Sequence, residues 1–163
     1  WRMGTGENIM KLREVFTKPK GKIEWKRKSA YNWDGVFSVD TREFRFMALI
    51  GAVEDSELHP YEDKVDKKET WNVSFHQSKV GGKVATDPGI TGEGKPIEVF
   101  NGALAAMKEF VKGTKPKYIY FSAKEPSRMK LYNLMVKKLA SGAGFKVINA
   151  SQGNYLLQNK RHR

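Results

Sequence analysis

The cleanest alternation in the chain runs from Thr70 to Gln77. There Trp71, Val73 and Phe75 fall on one side, and Asn72, Ser74 and His76 on the other. A period of two over that length predicts a strand buried on one face. Ala30 to Val39 is rich in aromatic and β-branched residues. Asp40-Thr41 supplies turn chemistry, and Glu43 to Val53 returns with Phe44, Phe46 and Ala48 alternating against Arg45 and Met47, which predicts a hairpin. Gly81-Gly82 marks a further turn, with a short return strand over Lys83 to Thr86. The period then changes. Pro96 opens a helix along which Ile97, Phe100, Leu104, Met107 and Val111 recur at helical spacing, and Gly113 closes it. Lys117 to Ala123 is apolar on both faces, as a central strand with helices on either side would be. A second helix starts at Glu125-Pro126-Ser127, with Ser127 as cap. It carries Arg128, Leu131, Met135 and Leu139 on one stripe beside Tyr132 and Val136, and ends at Gly142-Ala143-Gly144. Phe145 to Asn149 and Asn154 to Gln158 close the chain as a hairpin around Gln152-Gly153.

The order β-β-β(β)-α-β-α-β-β implies an α+β fold, a mixed, mostly antiparallel twisted sheet with helices on its faces. At 163 residues one core is expected. We divide the chain into a basic amino-terminal arm (1–29), one domain (30–158) and a basic tail (159–163). Residues 1–9 lack periodicity, and Met10 begins a short amphipathic turn with Leu12, Val15 and Phe16 on one side, which reads like a natural start.

Charge changes the picture, because the net +12 is uneven. Residues 1–30 hold nine basic and three acidic groups and residues 108–163 thirteen and two, whereas residues 51–70 hold three and seven. Two basic segments around an acidic, polar loop (Glu54 to Lys68, expected to be mobile) suggest a one-sided field and an anionic partner: nucleic acid, a nucleotide cofactor or an acidic protein. A solvated basic surface explains the same counts. The chain has no cysteine, which excludes disulfides and thiolate chemistry and favours a reducing compartment. No apolar run is long enough to span a membrane, and no secretory signal is expected, because residues 1–30 hold no apolar h-region. His59, His76 and His162 are scattered without a carboxylate pattern, so no metal site is expected.

Two segments carry chemistry. Thr91-Gly92-Glu93-Gly94-Lys95-Pro96 leads directly into the helix at Ile97, and Ser127-Arg128-Met129-Lys130-Leu131-Tyr132 is followed by Gly144-Phe145. Together with the element order, these resemble the GNAT superfamily of CoA-dependent N-acyltransferases, most of all the divergent GNAT-like proteins of tailed bacteriophages. The resemblance covers residues 30–158 and implies that the glycine loop holds the CoA pyrophosphate on backbone N–H groups and a helix dipole. Thr91, Gly92, Gly94 and Lys95 would supply that loop, with Arg128 adding charge. Thr91 stands where the family has a basic or amide residue, and Pro96 where it has a small one. Tyr132 matches the tyrosine that returns a proton to the departing thiolate. His76 or Glu69 would take the proton of the amine acceptor. The cofactor implied is acyl-CoA, and the location is an infected bacterial cytoplasm or the virion.

Each candidate has a plainer reading. Tyr132 can pack its ring on the sheet with its hydroxyl at the edge, the glycine loop can be a turn needing positive φ, and His76 can be a half-exposed strand residue. The scaffold could also persist without chemistry, as an interaction or virion-associated module. Trp25, Tyr31 and Trp33 beside Lys26-Arg27-Lys28 alternatively offer aromatics and cations to nucleic acid.

Overall fold

A computed structural model describes residues 22–84 and 96–161. Our readings of residues 1–9, of the turn carrying Leu12, Val15 and Phe16, and of Thr91, Gly92, Gly94 and Lys95 therefore lie outside the described residues, as does His162. The elements are β1 (Glu24–Lys28), β2 (Asn32–Val39), β3 (Arg42–Ile50), α1 (Asp55–Leu58), β4 (Thr70–Val80), β5 (Lys83–Val84), α2 (Pro96–Thr114), β6 (Tyr118–Ser122), α3 (Pro126–Gly142), β7 (Phe145–Ser151) and β8 (Asn154–Asn159). The sheet runs β1-β2-β3-β4-β6-β8-β7, with β5 paired to β4 off that path. Its pairs are antiparallel except β4 with β6, the two strands joined through α2. The protein is thus α+β with a mostly antiparallel sheet, and no helix among the described residues is long and apolar enough to cross a membrane.

Alternation decides which face is buried. Trp33, Phe37, Phe44, Phe46, Trp71 and Phe75 lie on one face, and α2 covers them. The Phe37 ring stacks on Phe44 and on Phe75, each at 5.5 Å between centroids. Phe110 of α2 meets Trp71 edge-on at 5.0 Å. Gly102 lets the helix approach this closely, since a Cβ there would stand 2.2 Å from the Phe37 ring. The stripe that α2 buries is Val99, Ala103, Leu104, Ala106, Met107 and Phe110. Ile97 is exposed and Phe100 and Val111 only half-buried, so the stripe is rotated from the one expected. Gly113 lies inside the helix against Trp33 rather than past its end. On α3 the expected stripe is the buried one: Leu131, Tyr132, Met135, Val136 and Leu139. Its cap position is Glu125, with Pro126 in the first turn, and Ser127 lies within the helix.

Three segments differ from expectation in instructive ways. Glu24–Lys28, placed in the basic arm, is a strand paired with β2. Trp25 seats its ring over Gly35, where a Cβ would meet it at 2.6 Å, and its indole N–H donates to Glu109 of α2. The acidic segment read as a mobile loop is packed. Val53, Leu58 and Val65 are buried with Tyr118, Tyr120 and Leu156 in a second cluster, and the Tyr118 hydroxyl donates to the Lys64 carbonyl at 3.0 Å. Beneath β6 a folded acidic segment therefore takes the place of a second long helix. At the far end, Lys160 N–H donates to the Gly144 carbonyl at 2.9 Å, so the first tail residues are tied to the domain. The turn at Gln152-Gly153 is the predicted one, both residues adopting positive φ (55° and 76°) between paired Ser151 and Asn154.

Candidate functional site

The two edges of β4 are treated differently. Toward β3 it is paired from Trp71 to Val80, whereas toward β6 the parallel register covers only Thr70–Asn72 with Tyr118–Tyr120. Farther along, α3 meets the β4 backbone instead of a strand. The Tyr132 hydroxyl accepts from the Phe75 N–H at 2.9 Å and donates to the Phe75 carbonyl at 3.3 Å. Its ring is held by Phe121 at 4.8 Å and by Tyr155 at 5.9 Å. Burial pushes the Tyr132 phenol above its ordinary range, while its hydrogen bond to Phe75 and the nearby Arg128 act the other way. Tyr132 is therefore a neutral donor and acceptor, 1% exposed, serving as the partner of strand groups that β6 does not reach.

Arg128 lies one helical turn before Tyr132 and is held by Glu125, whose carboxylate accepts from its Nε at 2.7 Å and also from Nη2. That guanidinium holds the Glu125 carboxyl below the usual range. Its field reaches Tyr132 and His76 alike. His76 follows Phe75 on β4 and points to the opposite, polar face, as the alternation predicts. There it lies across from Arg45, which forks onto Asp34 with Nε at 2.9 Å and Nη2 at 2.5 Å. Burial lowers the His76 pKa below 6.5, and Arg45 and Arg128 lower it further. The imidazole is accordingly neutral at pH 7, the form that can accept a proton.

Of the residues predicted from sequence, Tyr132 and Arg128 lie one turn apart on α3, with Tyr132 bonded to the Phe75 backbone, whereas His76 turns to the opposite, polar face of β4 and is reached only by the charge of Arg128. Glu69, the other candidate base, is away from this edge and pairs with Lys117 at 2.9 Å. Thr91, Gly92, Gly94 and Lys95 lie in the undescribed stretch just before α2. Among the described residues no group of three or more His, Asp or Glu is placed to hold a metal ion. Trp33 is 7% exposed and Trp25 packs on it edge-on at 5.1 Å, with Lys28 over both rings. Of the three proposed base-stacking aromatics, only Tyr31 is left exposed.

Sequence reasoning missed two buried amides. Gln77 and Asn101 are 6% and 4% exposed, and Gln77 Oε1 and both amide atoms of Asn101 have no hydrogen-bond partner among the described residues. The signal was present in each case, as an amide at a position the local period assigns to the core. Compared with protein-family models, with curated proteins and with solved structures, the chain matches none.

Proposed function

We propose that this protein is a GNAT-type N-acyltransferase that takes an acyl-CoA thioester at the open edge of β4 and passes its acyl group to an amine. The observation that carries this reading is the end of parallel pairing at Asn72 and Tyr120, with the Tyr132 hydroxyl on the Phe75 backbone beyond it and His76 the next residue of β4. GNAT enzymes thread the pantetheine arm through a gap between two central strands, and β4 and β6 are the parallel pair here.

Each residue has a defined task. The amine nitrogen attacks the thioester carbonyl, forming the C–N bond as the C–S bond breaks. Neutral His76 accepts the proton lost from nitrogen, and the Tyr132 hydroxyl gives its proton to the departing sulfur. Burial keeps Tyr132 protonated at rest, and Arg128 stabilises the phenolate that remains. Solvent exchange between the two groups restores the starting state. Calorimetric titration with acetyl-CoA tests the reading: saturable binding at micromolar to low millimolar concentration is expected, and absence of heat in that range overturns it.

The same hydroxyl supports a second reading, a non-catalytic interaction module on this scaffold. Both of its hydrogen-bonding roles are already taken by Phe75, as a structural staple would require. Acetyl-CoA binding without turnover of any amine, unchanged in Tyr132→Phe, would favour that module.

A further inference from the structure

We infer that the outward face of α3 binds the phosphate backbone of nucleic acid without reading its sequence. This is separate from acyl transfer and uses none of the residues assigned to it. α3 buries Leu131, Tyr132, Met135, Val136 and Leu139. With about 3.6 residues per turn, Lys130 and Lys137 fall almost in line on the side directly away from that stripe, flanked by Asn133 and Lys138. All four are exposed. Arg128 is paired with Glu125, whereas among the described residues Lys130, Lys137 and Lys138 have no ion-pair partner. From Pro126 to Arg163 the sequence holds eight Lys and Arg and no Asp or Glu. The basic surface continues past the helix. Lys160 N–H donates to the Gly144 carbonyl at 2.9 Å, and the Arg161 side chain lies over Gly144, its Nε 2.8 Å from where a Cβ would stand. A guanidinium is thereby held at the carboxyl end of α3.

The acids lie across the sheet. In β6, Ile119 and Phe121 belong to the core on which α3 packs, while Tyr118 and Tyr120 belong to the cluster that Val53, Leu58 and Val65 close. Alternation puts these pairs on opposite faces. The segment 54–69, with seven acids, is therefore separated from α3 by β6. Such a field draws a polyanion to α3 and repels it from the other face. What this face lacks identifies the polyanion. Among the described residues, Leu134 is the one large apolar side chain that α3 exposes. An anionic membrane needs an apolar face to bury, and a protein partner needs an apolar anchor cluster. A phosphate backbone needs neither. Lys130 and Lys137 stand about 10.5 Å apart along the axis, a length over which duplex DNA carries about six phosphate charges, so each ammonium meets its own phosphate. Flexible ammonium groups hold phosphates without selecting bases.

The test is fluorescence anisotropy of a labelled DNA duplex of about 20 base pairs with the full chain, between about 50 and 200 mM salt. Lys130→Gln with Lys137→Gln weakens binding by about tenfold or more at the lowest salt. It also reduces the slope of log affinity against log salt by about 2, since each phosphate contact contributes about 0.9. Lys64→Gln with Lys68→Gln removes the same charge from the acidic side, where both lysines are exposed, and leaves affinity and slope unchanged. Lys130→Arg with Lys137→Arg keeps the binding of the parent. All three variants change exposed side chains and melt with the parent. A loss below about twofold in Lys130→Gln with Lys137→Gln overturns the inference. An equal loss in the two Gln variants overturns it too, because net charge alone would then hold the duplex. So does a parent chain that binds phosphatidylserine vesicles but no duplex, which would make α3 a membrane-facing surface. None of these readouts involves acetyl-CoA, so this inference and the acyl-transfer reading stand or fall separately.

Discussion

One strand holds two regimes. Over Thr70–Asn72, β4 is paired on both sides and its Trp71 is wedged against Phe110 of α2, so backbone and side chains are satisfied by sheet and core together. Over Phe75–Gln77 no strand among the described residues lies beside the outer edge. A phenol hydroxyl satisfies the backbone there, a half-buried histidine feels the charges of Arg45 and Arg128, and a buried amide oxygen has no partner among the described residues. The first half is built as structure. The second carries unfavourable polar groups of the kind that accumulate where ligands bind.

Phe110→Ala should break the closed half most severely. The side chain is fully buried against Trp33, Phe46 and Trp71, so we expect a loss of about 3–5 kcal/mol, read as a lower midpoint in urea. A loss below about 1 kcal/mol would mean that α2 is not the lid of this core.

Much of the fold was legible where its periods are short and regular. Trp71, Val73 and Phe75 alternate strictly, the α3 stripe from Leu131 to Leu139 keeps helical spacing, and Gln152-Gly153 suits a two-residue hairpin turn. Other elements gave weaker signals. In β1 only Trp25 turns inward among Glu, Lys and Arg, so its strand character depends on the notch at Gly35. Val53, Leu58 and Val65 keep no period, and what buries them is the underside of β6, far away in sequence. The rotated stripe of α2 follows from a small residue: Gly102 faces the Phe37 ring, where a larger side chain would not fit. At the site, local pattern placed His76 on its polar face and Tyr132 on the helix. The bonding of Tyr132 to Phe75 depends on where β6 stops pairing, which no local pattern encodes.

Tyr132→Phe sharpens the contrast at smaller cost. The ring packing survives, but the Phe75 N–H and carbonyl lose their partner. We expect about 1–3 kcal/mol of lost stability in chemical denaturation. A variant as stable as the parent would show that water reaches this edge freely.

His76→Gln should have the smallest effect, visible only against pH. Folding lowers the His76 pKa below 6.5, so the unfolded chain takes up this proton first as pH falls. The stability is full above about 6.5 and is lost progressively as pH drops toward the folded-state value. Melting temperatures at pH 7.5 and pH 5.5 should therefore converge in His76→Gln relative to the parent. Equal pH slopes in the two proteins would place His76 in water.

Amide hydrogen exchange tests the division of β4 most directly. In the parent, the Phe75 amide should be protected. In Tyr132→Phe its exchange should accelerate by about tenfold or more, while the Thr70–Asn72 amides change only as much as global stability does. Equal protection of Phe75 with and without the hydroxyl would contradict the account, since a strand rather than a side chain would then be holding that edge.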